Sequence, residues 1–218
     1  MNISNDEFKL TLAKNNTSFF KHYIVLSNDI VRLRPLEMED KSTFAKFPAD
    51  LTIWKYFAVK MCQEQDMNNF IDDAVEQKNS SLRFHFVIED QKTGEIVGST
   101  AFGNYSIKDN RIEIGWSFLE SSSQGNGINK NIKFCLLNFA FDYLNIERVE
   151  FKTDLLNVRA RAALIKIGAT EEGTLRSHTL MPDERRRDTV YYSVLKDEWD
   201  KVKLKIFPNY SSDINFSI

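Results

Sequence analysis

The chain has 218 residues but only two cysteines, four prolines and eight glycines. Cys62 and Cys135 form no spaced metal-binding or disulfide pattern, so we expect a reducing compartment and no bound metal. No apolar run approaches the roughly 20 residues that cross a membrane, and residues 1–28 lack the apolar centre of a signal peptide. These absences predict a soluble, cytoplasmic protein without a membrane partner.

Charge of one sign is not in excess either. The 29 Lys and Arg residues against 31 Asp and Glu residues give a formal net charge of -2. Proteins that bind nucleic acid through its phosphates usually carry a basic surplus, so no nucleic-acid partner is expected. The hydrophobic fraction of 42% and the charged fraction of 28% are ordinary for a globular protein of one domain with appendages.

The polarity pattern predicts an α+β fold. Short turns between three successive strands favour antiparallel pairing, which gives a mixed, mostly antiparallel sheet with helices on both faces. Residues 1–28 form an extension that is either a disordered arm or an extra element packed on the domain, and residues 205–218 are expected to be a loose tail. The predicted strands are 31–36, 83–89, 95–105, 111–119, 148–153, 169–178 and 189–195, and the predicted helices are 39–47, 66–77, 128–144 and 157–167.

A polar loop with two glycines joins the strand at 111–119 to the helix that follows it. The first N–H groups of a helix have no intrahelical partner, so they attract negative charge. Gly125 and Gly127 carry no side chain that would keep an oxyanion away from the backbone. This stretch therefore predicts a phosphate-bearing ligand at the start of the helix. The alternative is a strand-to-helix turn without a ligand.

The loop sequence Gln124-Gly125-Asn126-Gly127-Ile128 resembles the Arg/Gln-x-x-Gly-x-Gly/Ala motif of the GNAT acyltransferase superfamily. The resemblance continues in order over about residues 30–203, and it is similar to the branch of RimJ/RimL-type ribosomal-protein N-terminal acetyltransferases. It implies a GNAT domain at 29–204 with a twisted sheet of six to seven strands and a splayed central strand pair. The further matching segments are 148–154, 157–163, 167–169, 172–176, 187–193 and 198–199.

Two positions depart from the family pattern. The last motif position, usually Gly or Ala, is Asn129, which we interpret as a feature of a subgroup. Many members carry a tyrosine seven residues after the Asn that opens the next helix, and it acts as the general acid. Here that position is Leu164, so a tyrosine acid at this place is excluded.

The resemblance implies acetyl-CoA as co-substrate and no metal. Its pantetheine arm would pair with the edge of the strand before the loop, and a backbone N–H near Phe118 or Leu119 would stabilise the oxyanion. Asn157 is expected to cap its helix and to contact cofactor or substrate. The residues expected to hold the cofactor are Trp116, Phe118, Leu119, Gln124, Gly125, Asn126, Gly127, Ile128, Asn129 and Asn157.

Glu113 is the first candidate for the base that deprotonates the acceptor amine. Asn157 is the second candidate for a catalytic residue. In a period-two strand, Ile112 and Ile114 face one way, whereas Glu113, Gly115 and Ser117 face the other. The alternative for Glu113 is a solvent-facing or ion-paired side chain. Candidates for binding the acceptor are Trp54, Tyr56, His85 and His178, with core packing or a surface position as the alternative for each.

These residues together predict an acetyl-CoA-dependent N-acetyltransferase in which a primary amine attacks the thioester directly. We expect a protein or peptide N-terminal amine as acceptor. One alternative is a small-molecule amine such as an amino acid, polyamine or drug; another is a non-catalytic domain that senses acyl-CoA. The arginines at 185–187 attract an acidic acceptor or the 3′-phosphate, or are simply solvated. A monomer or homodimer is expected.

Overall fold

The computed structural model describes residues 18–45, 51–59, 61 and 63–217. Cys62 and the end of the helix predicted at 39–47 lie outside these residues. The strands are β1 Tyr23–Ser27, β2 Val31–Pro35, β3 Arg83–Asp90, β4 Ile96–Ser106, β5 Arg111–Leu119, β6 Arg148–Asp154, β7 Thr170–Leu180, β8 Arg186–Leu195 and β9 Asp213–Ser217.

The strands form one nine-stranded sheet in the order β7-β8-β6-β5-β4-β3-β2-β1-β9. Neighbours are antiparallel throughout, except for β5 and β6, which run parallel in the middle of the sheet. A parallel pair needs a crossover between its strands, and here that crossover is the long helix after the glycine loop. The expected α+β class with a mostly antiparallel sheet is confirmed.

The helices begin and end where local chemistry supports it. Asp66 caps the helix after Gln63 by accepting the Gln63 N–H at 3.0 Å, and Gly168 ends another helix at a positive φ of 88°. The helices are α1 Lys41–Phe44, α2 Leu51–Trp54, α3 Glu64–Asn79, α4 Ile128–Asn138, which continues as a π-helical turn over Phe139–Tyr143, α5 Val158–Lys166 and α6 Lys196–Ile206.

The two faces of the sheet carry different cores. On one face, α4 and α6 pack on the large cluster that includes Ile112, Ile114 and Phe102. On the other face, helices α1 to α3 cover a smaller cluster around Phe118 and Val87. These helices lie over β3 and the end of β5, so the middle of this second face, around Glu113, is not covered by the smaller cluster.

The sheet has two strands more than the expected maximum of seven, and the difference lies at the chain ends. Residues 213–217 pair with β1 along its whole length, from Tyr23↔Ser217 to Ser27↔Asp213, so this part of the expected loose tail is instead a strand. Phe19 and Phe20, at 0% and 3% exposure, belong to the large core, which decides the open question for this part of the extension. Helix α6, Lys196–Ile206, is a further difference, because the sequence pattern predicts no helix there. In the described residues no helix is long and apolar enough to span a bilayer.

Candidate active site

The central strands β5 and β6 part in the middle of the sheet. They are paired only over three rungs, Arg111↔Arg148, Ile112↔Val149 and Glu113↔Glu150. Beyond these rungs, β5 continues to Leu119 on β4, and β6 continues to Asp154 on β8. A cleft therefore opens between residues 114–119 and 151–154, and Glu113 lies where it begins. The expected splayed strand pair is present.

One extra residue bends β5 just inside this cleft. Ser99 pairs with Phe118 and Ala101 pairs with Gly115, so three steps on β5 oppose two on β4. Trp116 takes up the difference in a left-handed conformation with φ of 50°. Its ring lies against Gly103, where a Cβ would come within 2.7 Å of it, and Arg83 stacks on the ring at 3.7 Å from the centroid.

The bulge reverses the expected facing of Ser117. The alternation predicts Ser117 on the same side as Glu113, but the extra residue turns it to the α4 face. There its hydroxyl lies 2.9 Å from Lys133 Nζ and 2.7 Å from Thr100 Oγ1. Lys133 is only 5% exposed, and burial lowers its pKa to about 7.

The backbone N–H and C=O of Leu119 point into the cleft. Glu120 N donates to Val97 O at 2.9 Å, and alternate residues of an antiparallel strand point their polar groups to the same side. Phe118 therefore turns its N–H and C=O toward β4, whereas Leu119 turns its own toward the cleft. The Leu119 carbonyl there accepts Gln124 Nε2 at 2.7 Å. Of the two backbone positions expected to stabilise an oxyanion, Leu119 is the one with a suitable direction.

The loop of residues 124–129, called the amide loop below, presents its backbone to open space. Gly125 and Gly127 have φ of 85° and 94°, and a Cβ built on either would meet nothing within 4 Å. Ile128 N donates to Asn126 Oδ1 at 3.2 Å. In the described part of the chain, the N–H groups of Gly125, Gly127 and Asn129 have no recorded acceptor. The amide loop is thus accessible, which a buried turn would not be.

Side chains hold the amide loop against the next helix. The Gln124 side chain accepts a hydrogen bond from Arg159 of α5 through Oε1, while its Nε2 reaches Leu119. Asn157 caps α5, as expected, by accepting Ala160 N at 3.1 Å. Leu164 on the same helix is 8% exposed and belongs to the large core. A side chain at this position faces apolar neighbours.

Glu113 is a buried, partnered carboxylate with one oxygen left available. Its Oε2 accepts Lys152 Nζ at 2.7 Å and Asn104 Nδ2 at 2.7 Å. Its Oε1 lies over Gly115, where a Cβ would come within 3.2 Å of it, and has no recorded donor in the described residues. Burial lowers the pKa of Lys152, but the hydrogen bond and charge of Glu113 outweigh it and the net shift is upward. The absence of a side chain at residue 115 thus leaves Oε1 facing the start of the cleft.

The residues expected to bind the acceptor do not form one group. Trp54 is 7% exposed and packs edge-on against Phe118, with ring centroids 4.7 Å apart. It therefore belongs to the smaller core. Tyr56 is half-buried and lies near Arg185, whose pKa is raised mainly by Asp154 and to a smaller extent by Tyr56. Tyr56 is therefore the more exposed of these two aromatic residues.

The two histidines have different surroundings. His85 is 2% exposed beneath Phe70, with ring centroids 5.2 Å apart, and burial lowers its pKa to about 3. It is neutral near pH 7, and its burial favours a packing role over contact with an acceptor. His178 is exposed on β7, where its Nδ1 lies 3.1 Å from Thr189 Oγ1 and its ring meets Tyr191 edge-on.

Sequence reasoning missed the cations around Glu113. Arg83 pairs with Gly103, which pairs with Glu113, and Lys152 lies two residues after the partner of Glu113 on β6. These residues meet only through the strand register, which the sequence pattern does not give. Within the described residues, no cluster of three or more His, Cys, Asp or Glu side chains is arranged to hold a metal.

A cleft between two strands beside an accessible helix start can hold a ligand that carries phosphate groups. Residues 31–170 match the family model for the acetyltransferase (GNAT) domain, and the chain therefore belongs to the GNAT acetyltransferase family. It is an N-acetyltransferase by this membership and by the names of its relatives.

Relatives and solved structures agree with the family assignment. The uncharacterised N-acetyltransferase p20 of Bacillus licheniformis is 26% identical over 80% of this chain and 97% of its own. A protein of T. thermophilus, assigned as an acetyltransferase, is 30% identical with a TM-score of 0.76, covering 86% of this chain and 97% of that one. RimJ of Mycobacterium smegmatis in complex with CoA-disulfide shares the fold, with a TM-score of 0.70 and 22% identity over 81% of this chain and 88% of that one.

Proposed function

We propose that this protein transfers an acetyl group from acetyl-CoA to the N-terminal amine of a protein or peptide by direct attack of the amine on the thioester. The observation that carries the proposal is the open amide loop beside the cleft between β5 and β6. Gly125 and Gly127 leave its backbone exposed, and the start of an 11-residue helix lies behind it. Such a helix start favours the diphosphate of coenzyme A through its unpaired N–H groups and its dipole.

The cleft supports a place for the rest of the donor. In our proposal the pantetheine amides pair with the backbone of β5 from Trp116 to Leu119, because β6 does not pair with this part of β5. The Leu119 N–H then faces the thioester oxygen, and one such donor contributes roughly 3 kcal/mol to the stability of an oxyanion. Asn157 contacts the donor from the start of α5 while its side chain caps that helix.

Glu113 serves as the base in this proposal. Its Oε1 is the free oxygen at the point where β5 and β6 part, so an amine approaching a thioester in the cleft comes next to it. A carboxylate within hydrogen-bond distance, directly or through one water, takes the proton that the amine loses on attack. Leu164 leaves no tyrosine to protonate the departing thiolate from α5, so we assign this proton to solvent.

The pKa values of the possible acceptor amines support an α-amine. One oxygen of Glu113 is already engaged by Lys152 and Asn104, both at 2.7 Å, so a single oxygen is left to receive a proton. An α-amine has a pKa of about 7.7–8.0 and is partly neutral near pH 7.5, whereas a lysine side chain with a pKa of about 10.4 is almost fully charged. Removing a proton is thus a smaller demand on the base for the first amine than for the second, so one carboxylate oxygen suffices for an α-amine.

A pair of glycine variants tests the donor site. Gly127→Ala places a methyl group in the open space where the diphosphate would bind, and we expect the Kd for acetyl-CoA to rise by about 10-fold or more. Gly94→Ala is the matched control, because Gly94 also has a positive φ of 74° and open surroundings but lies in the turn between β3 and β4. Calorimetry with acetyl-CoA and with ATP gives both constants. Equal effects of the two variants, or tighter binding of ATP, would remove the donor assignment.

A panel of amines tests the acceptor. Release of the CoA thiol is followed with peptides that have a free α-amine, the same peptides with a blocked α-amine and a free lysine, and free amino acids or polyamines. We expect turnover with the free α-amine peptides and at most slow turnover with the others. Turnover confined to small amines would replace the peptide acceptor by a small molecule.

A further inference from the structure

Positive charge exceeds negative charge around Glu113. Glu113 pairs with Lys152 at 2.7 Å. Burial lowers the pKa of Arg83 and of Arg187; the charge of Glu113 opposes this at Arg83, and the charges of Asp154 and, more weakly, Glu113 oppose it at Arg187. Arg83 is linked to Glu113 through the rungs Arg83↔Gly103 and Gly103↔Glu113. Arg187 lies on β8, two residues before Thr189, which pairs with Asp154 of β6. Residues two apart on a strand point to the same face of the sheet. Arg83 and Arg187, called the arginine pair below, therefore flank the same carboxylate.

The nearby carboxylates do not neutralise the arginine pair. Glu113 is held by Lys152, and Asp154, at 1% exposure, is paired with Arg185 at 2.5 Å. Asp73 influences Arg83 only from a distance, and Asp188 accepts the N–H of Ser177 at 2.7 Å. Among the residues that the structure describes, no carboxylate lies within ion-pair distance of Arg83 or Arg187.

Both arginines are partly withdrawn from water without compensation. The Nε atoms of Arg83 and Arg187 are buried and have no hydrogen-bond partner. Arg83 gains a stacking contact with Trp116 at 3.7 Å, but no such ring contact is recorded for Arg187. Burying a charged group without a partner is costly, and a ligand of opposite charge bound here would offset that cost.

Other half-buried arginines of this protein are fully paired. Arg34 donates to Asp40 at 2.7 Å and to Glu89 at 2.8 Å, and these hydrogen bonds raise its pKa. Arg148 is paired with Glu150 at 2.9 Å and with Glu172, which raises its pKa as well. The arginine pair differs from both, since burial is the dominant influence on its pKa and acts downward.

We propose that the arginine pair binds an anionic group of the acceptor, a carboxylate that lies a few ångströms from the amine to be acetylated. This inference rests on the proposed function, because it takes Glu113 Oε1 as the place of the amine. Two sources supply this chemistry: an acidic side chain directly after the N-terminal residue of a peptide, and the carboxylate of a free amino acid. A guanidinium binds a carboxylate through paired, charge-assisted hydrogen bonds, so it selects strongly against a neutral amide of the same shape.

The test compares matched acceptors on the intact protein. Peptides that begin Ser-Asp, Ser-Asn and Ser-Lys are otherwise identical, and serine is compared with serinamide. We expect kcat/KM for Ser-Asp to exceed that for Ser-Asn by about 10- to 100-fold, mainly through KM. If the free amino acid is the source, serine exceeds serinamide by the same factor and the peptides do not differ. Equal rates for acid and amide in both comparisons would overturn the proposal.

Arginine variants then assign the preference to residues. Arg187→Gln should reduce the ratio between acid and amide to about 1, and Arg83→Gln should reduce it in part. Arg186→Gln is the matched control, because the Arg186 guanidinium bonds Ser177 in the β7–β8 hairpin and is exposed. A ratio that survives in Arg187→Gln and Arg83→Gln contradicts the proposal. Thermal melts check that each variant is folded.

Two binding measurements distinguish a failure of this proposal from a failure of the proposed acetyl transfer. Acetyl-CoA titrations should give the same Kd for wild type and Arg187→Gln; a weaker Kd with an unchanged acceptor preference would mean that the arginine pair holds a phosphate of the donor instead. Titration of the Ser-Asp peptide into protein saturated with CoA does not need turnover. Arg187-dependent binding without any acetyl transfer would uphold the anion site and reject the proposed function, whereas neither binding nor transfer would reject both.

Discussion

A lysine lies on each face of β5, Lys133 buried and Lys152 half-buried, and the two are in opposite electrostatic situations. On the face of Glu113, Lys152 has a carboxylate 2.7 Å away, and its pKa is raised overall. On the face of α4, Lys133 Nζ lies 2.9 Å from the hydroxyl of Ser117 and 5.9 Å from the ring centroid of Phe151. No carboxylate of the described residues pairs with it, and burial lowers its pKa to about 7. Of these two lysines, only Lys152 has a carboxylate partner among the described residues.

The comparison shows what each face can contribute to a reaction. A hydroxyl does not offset the desolvation of an ammonium group, so near neutral pH Lys133 is a partly neutral amine that holds Ser117 and, through it, Thr100. Lys152 stays charged and holds the Glu113 side chain in place at 2.7 Å. We therefore assign proton transfer to the Glu113 face and support of the β5 bulge to the Lys133 face.

Of the changes that test this comparison, removing the Glu113 carboxylate should have the largest effect, and the effect is on kcat. Glu113→Gln keeps the shape but loses the base, and we expect kcat with a peptide acceptor to fall by about 10²- to 10⁴-fold near pH 7. The loss should shrink at pH 9, because an α-amine with a pKa of about 7.7–8.0 is then already neutral. The measurement is a pH–rate profile from pH 6 to 9.5.

Glu150→Gln is the control for this experiment. Glu150 is also buried, lies opposite Glu113 on the last shared rung and is paired with Arg148 at 2.9 Å and Arg111 at 3.2 Å. It should cost stability without changing the shape of the profile. Parallel profiles for wild type and Glu113→Gln would show that Glu113 is not the base.

Removing the paired lysine should have the next largest effect. Lys152→Met leaves the buried Glu113 carboxylate without its cation, and we expect a loss of roughly 2–3 kcal/mol in the free energy of unfolding. The contribution of the pair is complete below the ordinary lysine pKa and disappears only as the pH rises through the raised value. Urea unfolding at pH 7 therefore measures the whole effect. An unchanged unfolding midpoint would mean that the ion pair contributes nothing.

Removing the unpaired lysine should have a smaller effect of opposite sign. Lys133→Met removes a buried amine whose pKa burial lowers from 10.5 to about 7. We expect the free energy of unfolding to increase by on the order of 1–2 kcal/mol at pH 6, because no charge then has to be buried. The cost in the wild type is complete below pH 7 and vanishes as the pH rises toward 10.5, so the gain should shrink between these values. Unfolding at pH 6 and at pH 9.5 measures both ends.

Lys130→Met serves as the control for that pH dependence, since Lys130 lies on the same helix but is half-exposed over Tyr210 at 5.1 Å. A gain for Lys133→Met that stays constant from pH 6 to 9.5 would show that packing, and not charge, is responsible. A loss of stability at both values would show that the bond to Ser117 outweighs the buried charge.

Much of this site could be read from the sequence because its main determinants are local. The glycines of the amide loop, the strand before it and the apolar stripe of α4 are each visible within a few residues. The facing of Glu113 and Gly115 also follows from simple alternation. That alternation fails at Ser117, because nothing in the composition of β5 indicates that Trp116 adopts a positive φ of 50°.

The remaining features depend on contacts between distant segments. Lys133 is a polar residue on a helix whose broad apolar face hides it, and only the packed structure shows that it is 5% exposed. His85 is buried because Phe70 of α3 lies over it at 5.2 Å. The pairing of β9 rests on five residues with little alternation to signal them, and its partner is almost the full chain length away.

The position of β9 at the far edge has a consequence for biosynthesis. Its partner β1 forms near the start of the chain, but the pairing from Tyr23↔Ser217 to Ser27↔Asp213 cannot occur until translation has passed residue 217. During that interval the free hydrogen-bonding edge of β1 is exposed to other nascent chains. Truncation in this last segment would make that temporary exposure permanent and would promote self-association.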